Sequence, residues 1–285
     1  MDFNQEIERL IDIALAEDLG GSGDITSMAL LQESTFSSGK FVLKEKTVIA
    51  GLAYLEKIFK NIDPKLEVEL RVDEGSYQKA GTVIAKVSGP VRSILAGERT
   101  ALNFLQHASG VATITAAYVR KVRGLNCEIL DTRKTLPGLR ALEQYAIRVG
   151  GGVNHRYGLN HRFIIKRNHL AFFAFDSKTP IHDAVKRART YLPDVPVEVE
   201  VADINETKEA LQTDCDSLML DNMAPDDIKK CLKLIRKTGK KVYLESKGTI
   251  TLETVRRFAE TGVDGIATSA SYFAKPTDIR LRLMI

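Results

Sequence analysis

Between Asp131 and His169 the chain reads DTRKTLPGLRALEQYAIRVGGGVNHRYGLNHRFIIKRNH, which carries Arg133, Lys134, Arg140, Arg148, Arg156, Arg162, Lys166 and Arg167 together with His155, His161 and His169. Only Asp131 and Glu143 oppose them. Guanidinium groups grip carboxylates and phosphates bidentately, and ammonium groups act as point charges, so this mixture suits a compact polyanion. A dense cationic block is also compatible with a solvated face or a nucleic-acid patch. A second set of polar residues tracks the pattern of the strands. Asp131, Lys166, Glu200, Asp221 and Glu245 each close a short apolar run. Glu200 and Asp221 have the oxygen chemistry that Mg²⁺ prefers, and equally the charge to pair with nearby lysines. Lys166 suits either a Schiff-base nucleophile or an electrostatic clamp, and its arginine-rich company favours the clamp. In isolation Arg99, Arg133 and Arg156 are as compatible with surface pairing as with ligand binding. Arg140 and Arg148 are expected on a solvated helix face, pairing with Glu143.

Those residues need a scaffold. CEIL (127–130), FIIK (163–166), VEVEV (197–201), SLML (217–220), KVYLE (241–245) and GIAT (265–268) read as strands. Helical patterns separate them at 137–149, 180–191, 204–212, 225–237 and 251–261. Repeated strand-then-helix order predicts a parallel sheet, open or closed. A barrel converges the strand ends on one mouth, whereas an open sheet would spread them along an edge, so the barrel is favoured. No GxGxxG or Walker lysine loop comes after any of these runs. Upstream, Ile7, Leu10, Ile11, Ala14 and Leu15 recur at helical spacing over 4–18, Gly20 to Gly23 end that helix, and Asp24 caps or turns the next segment. Strands are expected at 39–44, 47–50, 66–72 and 82–87, with a helix at 52–60 between them. The stretch 91–123 reads as two helices parted near Ser109-Gly110. The alternating tail Ile279-Arg280-Leu281-Arg282-Leu283 reads as a strand returning to the first domain.

Composition narrows the classes. A chain of 285 residues with 44% hydrophobic and 27% charged residues can bury a sizeable core as one large domain or two unequal ones. Its net charge of +4 is mild for a general nucleic-acid binder. Cys127, Cys215 and Cys231 lack CxxC spacing, suggest neither disulfide framework nor zinc site, and read as reduced thiols of a cytoplasmic protein. The start, MDFNQEIERL, lacks the layout of a signal peptide, and no apolar run has the length of a bilayer span, so no membrane partner is expected.

The strings GERTALNFLQHASGVAT, DTRKTLPGLRALEQYAIRVGGGVNHRYGL, IIKRNH, VEVEV, LMLDNM and ETGVDGIATSA resemble the quinolinate phosphoribosyltransferase family, in order and spacing, over almost the whole chain. The resemblance implies an α/β protein. An N-terminal α/β sandwich domain over 1–112, joined by the tail 276–285, would accompany a C-terminal (β/α) barrel with an incomplete strand count over 113–275. It implies transfer of phosphoribose from phosphoribosyl pyrophosphate to quinolinate with decarboxylation, giving nicotinate mononucleotide, CO₂ and pyrophosphate in NAD biosynthesis. By the same resemblance Arg133, His155, Arg156 and Lys166 bind the quinolinate carboxylates, and Arg99 arrives from the partner of a homodimer, with higher assembly left open. Lys134, Asn168 and His169 lie towards the pyrophosphate. Glu200 and Asp221 manage Mg²⁺, the implied cofactor, and the ribose hydroxyls. Lys134, Lys166, Glu200 and Asp221 form the catalytic set.

The departures from the family pattern gather at one end. LIKDNH becomes Ile165-Lys166-Arg167-Asn168-His169, and His161 replaces an acid after GLx. LEASGGI becomes Leu244-Glu245-Ser246-Lys247-Gly248-Thr249-Ile250, and Ser269 replaces a glycine of the SVGA-like turn. These last two loops cradle the 5′-phosphate in the family, so Lys247, Gly248 and Ser269 are expected at that phosphate, partly through the charge of Lys247. Two other readings remain open. One is a related barrel enzyme acting on another aromatic acid or phosphosugar. The other is a non-catalytic polyanion-binding relative.

Overall fold

The computed structural model describes residues 3–284. Among them the strands run, in chain order, β1 (Phe36–Leu43), β2 (Thr47–Val48), β3 (Glu67–Leu70), β4 (Tyr77–Gln78), β5 (Val83–Pro90), β6 (Glu128–Leu130), β7 (Phe163–Ile165), β8 (Val197–Val201), β9 (Ser217–Asp221), β10 (Tyr243–Lys247), β11 (Gly265–Ala267) and β12 (Ile279–Met284). The chain divides into two compact units, Met1–Ala116 with Lys134–Gly151 and Ala270–Ile285, and Ala117–Arg133 with Gly152–Ser269.

The first unit is built on an antiparallel sheet of order β12-β1-β5-β3. The tail strand pairs with β1, Gly39 facing Leu283 and Phe41 facing Leu281, as its alternating pattern predicts. The amphipathic helix Phe3–Leu19 buries Ile7, Ile11 and Leu15, and these join Phe41, Phe59 and Ile84 in a core where Phe41 and Phe59 meet edge to face at 6.1 Å. Asp24 caps the next short helix by accepting from Thr26 N and Ser27 N, each at 3.1 Å.

Three expectations that bear on this unit are corrected. Val91–Lys121 is one unbroken helix rather than two. Gly110 does not end it: a Cβ there would stand 2.4 Å from the Lys275 carbonyl oxygen, so glycine lets the returning chain pass close by. Glu143 is not a surface partner for Arg140 or Arg148. It is fully buried, lies 3.0 Å from His107 Nε2 and accepts from Leu136 N. Arg148 instead stacks its guanidinium 4.4 Å from the Phe3 ring centroid. The strip Lys134–Gly151, expected within the barrel domain, belongs to the first unit because Ala141, Leu142, Ala146 and Ile147 of the helix Arg140–Val149 enter its core. Gly150 packs with no room for a Cβ, 2.6 Å from the Ala112 carbonyl oxygen.

The second unit is a parallel sheet of order β6-β11-β10-β9-β8-β7. From β7 to β11 each strand neighbours the next in the chain, and the first, β6, pairs with the last, β11. That circular order is the topology of a barrel. On its other side β6 meets Val153 in a parallel bridge, Val153 N donating to Ile129 O at 2.8 Å. No ladder joins this segment to β7 among the described residues, so the barrel has an incomplete strand count. Strands buried on both faces read as near-continuous apolar runs, and VEVEV departs from that rule by placing Glu198 and Glu200 on one face and its fully buried valines on the other. No described helix is long and apolar enough to cross a membrane.

Candidate active site

The carboxyl ends of the parallel strands line a pocket formed by Asp131, Thr132, Arg133, His155, Arg156, Ile164, Lys166, Met219, Glu245, Lys247 and Ala267. Arg133 reaches it from the turn after β6 with φ 58, a left-handed conformation that non-glycine residues adopt at a cost and that clusters at ligand sites. Its Nε is buried with no protein hydrogen-bond partner. A buried guanidinium N–H is costly to leave unpaired, so this one is suited to an incoming anion. Asp131 just before it is buried and accepts from Asn154 Nδ2 at 2.9 Å, which ties the turn to the Val153 segment. That segment delivers His155 and Arg156. Arg156 is 9% exposed and donates to the Arg162 carbonyl at 3.1 Å. Burial, then the nearby Arg133 charge, lower its pKa, as expected where cations cluster.

The His155 side chain is buried in the same pocket, 7% exposed. Its Nε2 is 2.9 Å from Glu198 Oε2 and 3.0 Å from Glu245 Oε2, and both glutamates are almost fully buried. Burial alone would favour the neutral imidazole, but the two carboxylates prevail and raise the pKa to about 9. Burial in turn raises Glu245. His155 therefore stands in the pocket as an imidazolium at neutral pH. Arg162 adds its Nη1 3.8 Å from Glu198 Oε2. His155, Glu198 and Glu245 also have the ligand types and spacing of a metal group. The pairing of one protonated Nε2 with two carboxylates accounts for their closeness without an ion.

Lys166 closes the pocket at the end of β7. Burial first, then the charge of Lys247, lower its pKa, with Glu200 opposing. His169 Nδ1 accepts from Lys166 N at 3.0 Å and so caps the helix Arg167–Phe173, which the sequence pattern did not disclose. Asn168 is exposed on that first turn. At the neighbouring strand ends Lys247 Nζ lies 3.3 Å from Glu200 Oε2 and 3.6 Å from Asp221 Oδ1. Gly248, at φ 152, lets the chain pass Asn222, whose Oδ1 would be 2.8 Å from a Cβ there. Thr249 is exposed and Ser269 half-buried in the turn after β11. Arg99 and Lys134 are exposed and belong to the first unit.

Sequence reasoning missed Glu198 and the pairing of Glu245 with His155. The available signal was VEVEV itself, because a strand with valines on one buried face must put its glutamates on the other, inside the barrel. The carboxylates Glu200 and Asp221 have the right ligand type for Mg²⁺. The Lys247 ammonium, however, stands where an ion bridging them would, so the residues present do not fit a protein-held ion there.

A (β/α) barrel with a strand-end pocket of clustered cations, one of them with an unpaired buried N–H, has the chemistry that suits a small polyanion. Comparison with known proteins narrows this. Residues 111–282 match the model of the quinolinate phosphoribosyl transferase C-terminal domain, and residues 24–109 that of its N-terminal domain. The chain is 40% identical over 264 residues to a probable nicotinate-nucleotide pyrophosphorylase [carboxylating] of Synechocystis, covering 92% of this chain and 87% of that one. It is 39% identical to the Mycobacterium leprae nicotinate-nucleotide pyrophosphorylase [carboxylating], over 95% of this chain and 94% of the relative. The solved nicotinate-nucleotide pyrophosphorylase of Francisella tularensis superposes with a TM-score of 0.89 at 34% identity, covering 99% and 97% of the two chains. The chain belongs to the quinolinate phosphoribosyltransferase family.

Proposed function

We infer that this chain transfers phosphoribose from phosphoribosyl pyrophosphate to quinolinate with loss of CO₂, giving nicotinate mononucleotide and pyrophosphate for NAD biosynthesis. One observation carries this reading beyond family membership. Arg133, His155, Arg156 and Lys166 line one pocket, and a buried Arg133 N–H there has no protein partner. A pyridine with two adjacent carboxylates matches that set in size and charge.

Bound there, quinolinate is held by its carboxylates with the ring nitrogen directed at C1 of the donor ribose. The nitrogen forms a bond to C1 as the C1–O bond to pyrophosphate breaks, and pyrophosphate leaves with the electron pair. The ring nitrogen is then positively charged. Loss of CO₂ leaves an electron pair on the adjacent ring carbon, where N⁺ stabilises it until a proton arrives. Fixed cations stabilise charge without reorganising, the form of catalysis expected of a pocket rich in clamps and poor in nucleophiles. We assign Lys134, Asn168 and His169 to the pyrophosphate, Glu200 and Asp221 to the ribose side, and Lys247, Gly248 and Ser269 to the neighbourhood of the 5′-phosphate. A Mg²⁺ ion carried in by the donor would supply neutralisation of the pyrophosphate charge. The family resemblance supports a homodimer in which Arg99 of one subunit serves the partner. Free Cys127, Cys215 and Cys231 support a cytoplasmic location.

Release of labelled CO₂ from quinolinate labelled in its 2-carboxylate tests the reading. Release is expected only when phosphoribosyl pyrophosphate is present with Mg²⁺. Donor-independent release, or none, would overturn it.

A further inference from the structure

Glu200 and Asp221 end adjacent strands, and each of their carboxylate oxygens already faces a donor or a cation. Glu200 Oε1 accepts from Arg167 N at 3.4 Å, and its Oε2 faces Lys247 Nζ at 3.3 Å. Asp221 Oδ1 lies 3.6 Å from the same Nζ, and its Oδ2 accepts from Asn222 Nδ2 at 3.0 Å. The lysine is held in place by its backbone. Lys247 is the register partner of Asp221 across β10 and β9, and Asn222 N donates to Lys247 O at 2.8 Å. Asn222 itself sits at φ 53, and Gly248 leaves room for its side chain. The three charged side chains are mostly buried, with exposures of 23%, 12% and 22% for Lys247, Glu200 and Asp221. Screening by solvent is correspondingly weak.

We propose that the Lys247 ammonium is a built-in cation at the Glu200–Asp221 pair, taking the place of a divalent ion that these carboxylates would otherwise bind. One lysine contributes a single positive charge and no Lewis acidity, so it neutralises half of the paired carboxylate charge and polarises nothing bound to it. A divalent ion near these carboxylates would meet the ammonium within a few ångströms and be repelled. The catalytic consequence rests on phosphoribosyl transfer: the divalent requirement of the reaction follows the donor–metal complex alone, with no separate ion held by Glu200 and Asp221.

Mn²⁺ titration of the full chain without substrates, read by the electron paramagnetic resonance of free Mn²⁺, tests this. Replacing Lys247 with serine (K247S) should tighten Mn²⁺ binding by about tenfold or more, the direction set by removing a like charge from beside the ion. K247R, which keeps the charge, should bind as weakly as the wild type. The double variant K247S/D221N should lose the gain, which separates this site from the His155–Glu198–Glu245 group. Should K247S be insoluble, K247A replaces it with the same expectation. Equal affinity in the wild type and the neutral variant, or a gain that survives D221N, would overturn the proposal. Because no substrate is present, a chain that behaves this way yet releases no CO₂ would leave the Lys247 inference standing and remove the transferase reading.

Discussion

At the Arg133–Arg156 end of the pocket, cations are gathered side by side, and a buried Arg133 N–H is left open. At the Lys247 end the opposite holds: Glu200 and Asp221 are closed by an ammonium from the next strand. Neighbouring strand ends of one barrel therefore treat charge in two ways. One end keeps its electrostatic free energy for a ligand, and the other satisfies itself. His155 lies between these regimes, a cation whose charge is fixed by buried Glu198 and Glu245. An open cation costs folding stability and gains it back only on binding, the usual relation between a preformed site and its ligand.

Arg133 is the residue at which the two ends differ most. Replacing it with alanine removes a charge-assisted contact worth about 2–3 kcal/mol, so kcat/KM for quinolinate should fall roughly 30- to 150-fold with the far-UV circular dichroism unchanged. A fall below about threefold would mean that the open N–H is a packing accident.

His155 separates the two ends through pH. Its pKa is raised from the ordinary 6.5 to about 9, so the stability it contributes is fully present below 6.5 and is lost as pH rises through about 9. Quinolinate affinity should weaken over the same upper range as the imidazolium deprotonates. Replacing Glu245 with glutamine should move that alkaline limb down by about one unit or more, because one of the two charges holding the proton is gone. An alkaline limb that stays near 9 in E245Q would show that Glu198 suffices.

The smallest effect is expected beyond the closed end. Thr249 is exposed after Gly248, so replacing it with glycine should change the apparent KM for phosphoribosyl pyrophosphate by no more than about twofold. A larger change would mean that this loop, and not only Lys247, has been rebuilt around the donor.

Much of the fold and the site was legible in the sequence because it depends on period and composition. VEVEV, the helix 180–191 and the returning tail strand have the bounds or pairing that their patterns predict. Period did not bring Arg133, His155 and Arg156 together, since no strand was expected between 130 and 163; the family resemblance of DTRK and GGVNHR implied their grouping, and one pocket holds all three. Less legible were features whose signal is ambiguous along the chain. Gly110 looks like a helix break until the Lys275 carbonyl is seen against it, and Glu143 looks like a surface partner until His107 is seen beside it. The helix Arg167–Phe173 is too short for its period to register.

Residue order alone sets which residue types stand at the strand ends, and with them a cation-rich face of a barrel suited to a small polyanion. Local propensity and side-chain period are properties of neighbouring residues, and a single chain carries them in full. Which charges meet is set by the folded sheet. Lys247 is separated in sequence from Glu200 and Asp221, and nothing along the chain says that it meets them. Register across β9 and β10 turns it onto the two carboxylates, because pairing between strands is fixed by packing and hydrogen bonding of the whole sheet rather than by any residue's own preference.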